Sequence, residues 1–205
     1  MTDQHRKNQQ GAALVLSLLV VVCLSGVGLG LAAASSAERQ IAANARGAVA
    51  TSAAAEAAVE GVLTEISAAP DWSVWLAGVT SRFHDATRRP LTPSRVTVDL
   101  DQVTTELQAE AATAWPLGPN TPAWRLVAWG TLEALAGLEA GASGAYVAVW
   151  AADDPGEADA QASADSNGTI MLHGEAFGFG ATRRAVDVVI VRAAAGPRVL
   201  SWRSR

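Results

Sequence analysis

The strongest pattern in the chain lies at its start. From Ala12 to Ala34 it reads AALVLSLLVVVCLSGVGLGLAAA, and no charged residue falls between Gly11 and Ala37. At a rise of about 1.5 Å per residue, a helix over this run spans roughly 34 Å, slightly more than the hydrocarbon core of a bilayer. The pattern predicts a transmembrane helix over residues 12–34. Residues 38–66 then contain no proline and are rich in Ala, Glu and Arg, all strong helix formers. Ile41, Ala45, Ala48, Ala55, Val59, Val62 and Ile66 recur at helical spacing, with Arg39, Arg46, Glu56 and Glu60 elsewhere. We therefore expect the membrane helix to continue unbroken into an amphipathic one, about 55 residues and roughly 80 Å in all. The alternative is a membrane helix followed by a separate linker helix. The first proline after the leader is Pro70, where the helix should have ended.

Beyond Pro70 the pattern changes. Residues 71–123 mix Trp72, Trp75 and Trp115 with prolines at 90, 93, 116, 119 and 122, which predicts short helices in a loop-rich connection. The stretch VDLDQVTTELQAEA should form one of them, with Asp99 as N-cap and Leu100, Val103 and Leu107 on one face. Strand-like segments follow at Trp124–Trp129, Tyr146–Ala151, Thr169–Ala176, Ala185–Arg192 and Val199–Trp202. In the fourth, Val186, Val188 and Ile190 alternate with Asp187 and Val189, giving one apolar face. Successive strands without long helices between them imply an antiparallel sheet. The expected fold class is α+β: a long N-terminal helix, transmembrane then amphipathic, packed on a C-terminal antiparallel β-sheet.

Charge orients the anchor. Arg6 and Lys7 precede the apolar run, and the next basic residue is Arg39, beside Glu38. The positive-inside bias keeps the leader cytoplasmic and sends the body outward, so a single-pass inner-membrane protein with a periplasmic body is expected. A cleaved secretory signal would use a small-residue site, and LAAASSA offers one, but the apolar run is longer than such signals use. A lipoprotein signal would place a small residue before Cys23, where Val22 stands. A retained anchor fits the length best.

Composition narrows the chemistry. The net charge is -5, and the basic residues are 14 Arg with Lys7 as the single Lys, so a globally basic nucleic-acid binder is disfavoured and DNA is not an expected partner. Cys23 is the one cysteine, and His5, His84 and His173 share no metal-ligand spacing. No GxSxG, P-loop or strand-following GxGxxG motif is present, and Gly178-Phe179-Gly180 reads as a turn. Neither an enzyme nor a cofactor is expected.

Asp153, Asp154, Glu157, Asp159, Asp165 and Glu175 lie between Tyr146 and Glu175 with no Lys or Arg among them. Asp159, Asp165 and Asn167 carry oxygen ligands of the kind calcium prefers, without EF-hand spacing, while Asn167-Gly168 before a strand is first of all a turn signal. A solvated acidic hairpin loop is the simpler reading. His173 and Glu175, two apart on a strand, are expected to be satisfied surface or edge residues. Arg183, Arg184, Arg192, Arg198, Arg203 and Arg205 face only Asp187 in the C-terminal stretch. They fit either guarding of a sheet edge or docking against an acidic loop such as Asp153–Asp159, within or between subunits.

The N-terminal segment resembles a known family. A short polar, basic leader, then a glycine, then a small and an apolar residue opening a long helix is similar to a class III (prepilin) signal. The runs QQGAALVLSLLVVVCLSGVGLG and AERQIAANARGAVATSAAAEAAVEG resemble the N-terminal segment of PilX-type minor pilins of the type IV pilus assembly family, over roughly residues 9–62. The ER-x-x-AxNxR and AAEAA stretches are the more specific parts. The resemblance implies cleavage by prepilin peptidase after Gly11 and an N-methylated Ala12 as mature N-terminus. It also implies assembly with other pilins through the N-terminal helix, beneath a pilin-like head. Major pilins of that family carry glutamate at the fifth mature position, where this chain has Leu16. The departure favours a minor, accessory or priming subunit over a bulk fibre component. Gly26, Gly28 and Gly30 include a Gly-xxx-Gly pair suited to close helix approach, and they also lower local helix stability. The expected organisation is a leader over 1–11, a membrane helix over 12–34, its amphipathic continuation over 35–67 and an exported head over 68–205. A minor pseudopilin of a type II secretion system fits the same layout. A membrane-anchored periplasmic ligand-binding domain is the reading from a different class.

Overall fold

The structure, a computed structural model, describes residues 3–115, 120–136, 144–178, 182–194 and 196–205, with side chains from residue 13 onward. The chain is α+β: a long N-terminal helix and a five-stranded antiparallel sheet in the order β1-β2-β3-β4-β5. Helix α1 runs Asp3–Ala68 without interruption. It ends two residues before Pro70, as the restriction on residues preceding proline predicts. Two compact units divide the chain, residues 1–45 and 46–205, and the boundary falls inside α1 rather than at its end.

In the first unit the chain is helical from residue 3 and apolar over residues 12–34. Its polar side chains within the apolar run turn back on their own backbone: the Ser17 hydroxyl donates to the Leu14 carbonyl at 2.9 Å and the Ser25 hydroxyl to the Val21 carbonyl at 2.8 Å. Such back-bonding satisfies a hydroxyl that lipid would leave without a partner.

The second unit is built in three layers. On one face of the sheet lies the last part of α1, whose Ala54, Ala55, Ala58, Val59, Val62 and Ile66 are buried. They pack against Val147, Val149, Leu172, Val186, Val188 and Ile190. The alternating face expected in the fourth strand is therefore the core face. Ile41 and Ala45, which belong to the same helical stripe by spacing, are exposed and fall in the first unit. On the opposite face lies α3 (Leu100–Ala114), contributing Leu100, Val103 and Leu107 against Leu126, Trp129, Tyr146, Ala148, Trp150 and Phe177. Asp99 caps α3, accepting from the backbone N–H of Asp101 at 3.1 Å and of Gln102 at 3.2 Å.

The strands are β1 (Arg125–Thr131), β2 (Tyr146–Asp153), β3 (Thr169–Phe177), β4 (Arg183–Ala193) and β5 (Gly196–Ser204). They coincide with the five expected segments, each longer by one to several residues because ladder pairing extends beyond the apolar core. Two short helices, α2 (Ser73–Leu76) and α4 (Leu132–Ala136), complete the unit. The outer side of β1 is covered by residues 81–85, where the Ser81 N–H donates to the Val127 carbonyl at 2.7 Å and the Asp85 N–H to the Trp129 carbonyl at 2.8 Å. The other edge, β5, is largely exposed and carries Arg198 and Arg203, a composition that discourages edge-to-edge pairing.

Candidate functional site

Three features carry potential function. The first is the apolar surface of α1. Leu14, Leu16, Leu18, Leu24, Leu29 and Leu31 are all more than half exposed, Leu29 at 74%. The helix is long and apolar enough to cross a membrane. A side chain added at Gly26, Gly28 or Gly30 would meet nothing within 4 Å, so the fold of this chain does not require these glycines. Gly11 and Ala12 lie in helical backbone at the start of α1, outside the residues whose side chains are described. Cys23 is exposed on the same helix.

The second feature is an ion network on the α3 side of the sheet. β3 and β4 pair with His173 opposite Asp187, and alternation on β3 puts His173 and Glu175 on the same face. His173 Nδ1 lies 2.6 Å from Asp187 Oδ1, and Nε2 lies 3.3 Å from Glu175 Oε1. The Arg183 guanidinium grips Glu175 in a fork, Nε to Oε2 at 2.9 Å and Nη2 to Oε1 at 2.7 Å. Arg205 pairs with Asp187 Oδ2 at 2.7 Å and with Glu110 of α3 at 2.7 Å. Trp124 and Trp150 flank the imidazole, each with its ring centroid 5.8 Å away.

This arrangement corrects two expectations. His173 and Glu175 are not surface or edge residues: they sit on the central strand, 3% and 4% exposed. Nor, within the chain, do Arg183 and Arg205 dock on the Asp153–Asp159 loop; their partners are Glu175, Asp187 and Glu110. Arg192 instead donates to the Pro70 carbonyl and stacks over Trp72, its guanidinium carbon 4.7 Å from the ring centroid.

Burial alone would push the His173 imidazole down, but its hydrogen bonds to Asp187 and Glu175 outweigh burial and hold it above its ordinary value. Burial would likewise raise both carboxylates. His173 and Arg183 instead hold Glu175 low, and His173, Arg205 and Arg203 do the same for Asp187. With both ring nitrogens engaged by carboxylates, His173 has no free nitrogen for proton transfer to a substrate. The network opens onto a pocket of about 230 Å³, lined by Leu107, Ala111 and Trp115 on one side and Met171, Val189 and Arg203 on the other.

The third feature is the loop joining β2 to β3. Asp153, the last residue of β2, is fully buried, and Glu157 is 4% exposed. Asn120 donates to Asp153 Oδ2, and the Ser166 N–H donates to Glu157 Oε1 at 2.7 Å. Asp153 Oδ1 and Glu157 Oε2 are buried with no donor. Burial first, and then the Glu157 charge, push Asp153 up to about 7, and burial raises Glu157 as well.

The calcium candidates are not brought together as a trio. Asp165 Oδ1 accepts from the backbone N–H of Gly168 and Thr169 at 2.7 and 3.1 Å, and Asn167 Oδ1 accepts from the Thr169 N–H at 2.7 Å. Both therefore build the turn, where Gly168 has φ +76°. Asp159 joins Asp153 and Glu157 instead, one carboxylate oxygen from each lying within 4.8 Å of the others. Asn120 carries no signal in the sequence, and Asp153 is visible there only as part of the acidic stretch, since the fold alone brings the two together. In the Gly178-Phe179-Gly180 turn, Phe179 and Gly180 lie outside the described residues, as do Pro116 and Pro119.

No family model matches the chain, and neither a curated protein nor a solved structure does.

Proposed function

We propose that the chain is a minor pilin-like subunit of the type IV pilus machinery, made as a prepilin and acting in pilus assembly or priming. The observation that carries this reading is the contrast within α1. Within its first unit, residues 14–31 present an apolar surface that is exposed among the described residues, whereas residues 54–66 form the core against the sheet. One helix thus supplies both a lipid- or partner-facing segment and the foundation of a folded unit. A cleavable export signal has no need of the second role. The resemblance of residues 9–62 to PilX-type minor pilins supports the same reading, and so does the α+β architecture.

In this mechanism the leader stays cytoplasmic and the second unit is periplasmic. Prepilin peptidase cuts after Gly11, where a residue without a side chain does not crowd the bond. Ala12 becomes the mature, methylated N-terminus. The helix then packs laterally against other pilins, with Gly26 and Gly30 allowing close approach. Leu16 in place of a glutamate removes the intramembrane carboxylate that would pair with a neighbour's terminal amine, which suits an accessory subunit.

Intact-mass analysis of membrane-extracted protein tests the reading. A membrane-bound product starting at Ala12 is expected, and Gly11→Leu should accumulate the full-length precursor. A soluble product starting near Ser35, or normal processing of Gly11→Leu, would sink the assignment.

A further inference from the structure

We propose that the base of the β2–β3 loop is a binding site for one calcium-sized divalent cation, ligated by Asp153, Glu157 and Asp159. The argument starts from what the neighbouring donors do. Asp153 Oδ2 is taken by Asn120, Glu157 Oε1 by the Ser166 N–H, and Asp159 Oδ1 by the Gln161 N–H at 2.9 Å. Asp165 spends its Oδ1 on the turn, and Asp154 accepts from the Asn167 amide at 2.7 Å and from the Gly156 N–H at 2.9 Å. After these bonds are made, Asp153 Oδ1 and Glu157 Oε2 remain buried with no donor of their own, and the two carboxyl groups lie within hydrogen-bond reach of each other.

Buried polar atoms are rarely left in that state, and buried carboxylates more rarely still. Among the described residues no Lys or Arg forms an ion pair with Asp153, Glu157 or Asp159. A ligand that offers positive charge and accepts several oxygens satisfies all three at once. A single shared proton would bridge two of the carboxylates and leave the trio negative.

Geometry points to calcium within the class of hard cations. Oxygens within 4.8 Å of one another fit a common shell at the roughly 2.4 Å metal–oxygen distance of calcium. The ligands leave the end of a strand and an irregular loop rather than a regular scaffold. Calcium tolerates such uneven geometry and fills its shell with water, whereas magnesium demands a near-octahedral set. Occupancy would tie residues 157 and 159 to the end of β2 and thereby fix the loop.

The test uses the full chain in detergent micelles. Thermal unfolding is recorded in a chelator and in millimolar calcium or magnesium, with titration calorimetry for stoichiometry. Calcium should raise the melting temperature and bind one ion per chain, and magnesium should shift it less. Asp153→Asn and Glu157→Gln each remove one like charge from the buried trio. Both should be at least as stable as the parent in chelator, and both should lose the calcium shift. Asp159→Asn alters the half-buried member without touching the buried pair, and should weaken calcium binding by about tenfold. This third variant keeps the test decisive if either buried change prevents folding. Absence of both heat and shift with calcium would overturn the proposal, as would a magnesium shift equal to or larger than that of calcium. A calcium shift unchanged in Asp159→Asn would overturn it as well.

Discussion

Gly174, on the central strand, lies directly beneath Val59 of α1: a methyl group at Gly174 would stand 2.3 Å from Val59 Cγ2 and 3.2 Å from the Ala55 carbonyl oxygen. The helix approaches the sheet to backbone distance there, which no residue with a side chain allows. Alanines 54, 55 and 58 on the facing helix turns serve the same close approach.

Replacing Gly174 by valine should therefore destabilise the fold by about 1–3 kcal/mol through overpacking. Adding Val59→Ala should restore part of the loss, since it vacates the space the new side chain needs. Urea unfolding of the single and double variants measures both. If the second change gives no recovery, the close contact at this pair is not what limits stability.

The same layer makes a prediction about truncation. A chain starting at Ser35 retains Ala54, Val59, Val62 and Ile66 and should be soluble and unfold cooperatively. A chain starting at Asp71 lacks them, exposes the apolar face of β2–β4 and should aggregate. Equal solubility and melting temperature of the two would remove the helix-on-sheet layer from the account.

The ion network predicts how stability depends on pH. His173 is held above its ordinary 6.5, so its contribution is complete below that value and is lost as pH rises through the folded value. Glu175 and Asp187 are held below 4.5 and 3.8, so theirs are present above those values and lost as pH falls through the folded ones. Asp153, raised from 3.8 to about 7, opposes folding increasingly across that interval and by a constant amount above it, so its share of the decline is complete near neutrality. Melting temperature should peak at about pH 5–6 and fall by about pH 8. His173→Gln removes the cation shared by buried Glu175 and partly exposed Asp187, which keep Arg183 and Arg205, and should cost about 1.5–3 kcal/mol near the optimum. The same change should flatten the decline between neutral and alkaline pH. A variant with an unchanged pH profile would show that His173 does not carry the effect.

At Asp99, loss of the cap should be visible by itself. Asp99→Ala removes both backbone hydrogen bonds and the Arg89 pair, and should cost about 1 kcal/mol. Asp99→Asn keeps a capping oxygen and should cost less. Equal costs for the two in urea unfolding would point to the ion pair, which both lose, rather than to the cap.

In α1, Gly26→Leu combined with Gly30→Leu should leave the stability of the second unit within about 0.5 kcal/mol, because these positions touch nothing in the chain. Under the pilin reading, the same pair should reduce cross-linking to other pilins in membranes. A loss of stability in the second unit without loss of cross-linking would reverse the roles assigned to the two parts of α1.

The sequence by itself determined every element whose signal is periodic and local. The apolar run from Ala12 to Ala34, the helix end before Pro70, the Asp99 cap and the alternation of Val186, Val188 and Ile190 all depend on neighbours within a few residues. Only the tertiary structure decided which residues meet. His173 and Glu175 looked like edge residues until strand order put β3 in the middle of the sheet. The β3–β4 register then set Asp187 opposite His173, and Arg205 and Glu110 arrived from β5 and α3. The acidic stretch was visible as composition, yet Asp153 rather than Asp165 joins Asp159, because Asp165 turns to the Gly168 and Thr169 amides. Hydrophobic periodicity reports which face of an element is covered. Which charges lie beneath the cover depends on register and strand order, and these are set by packing among segments far apart in the chain.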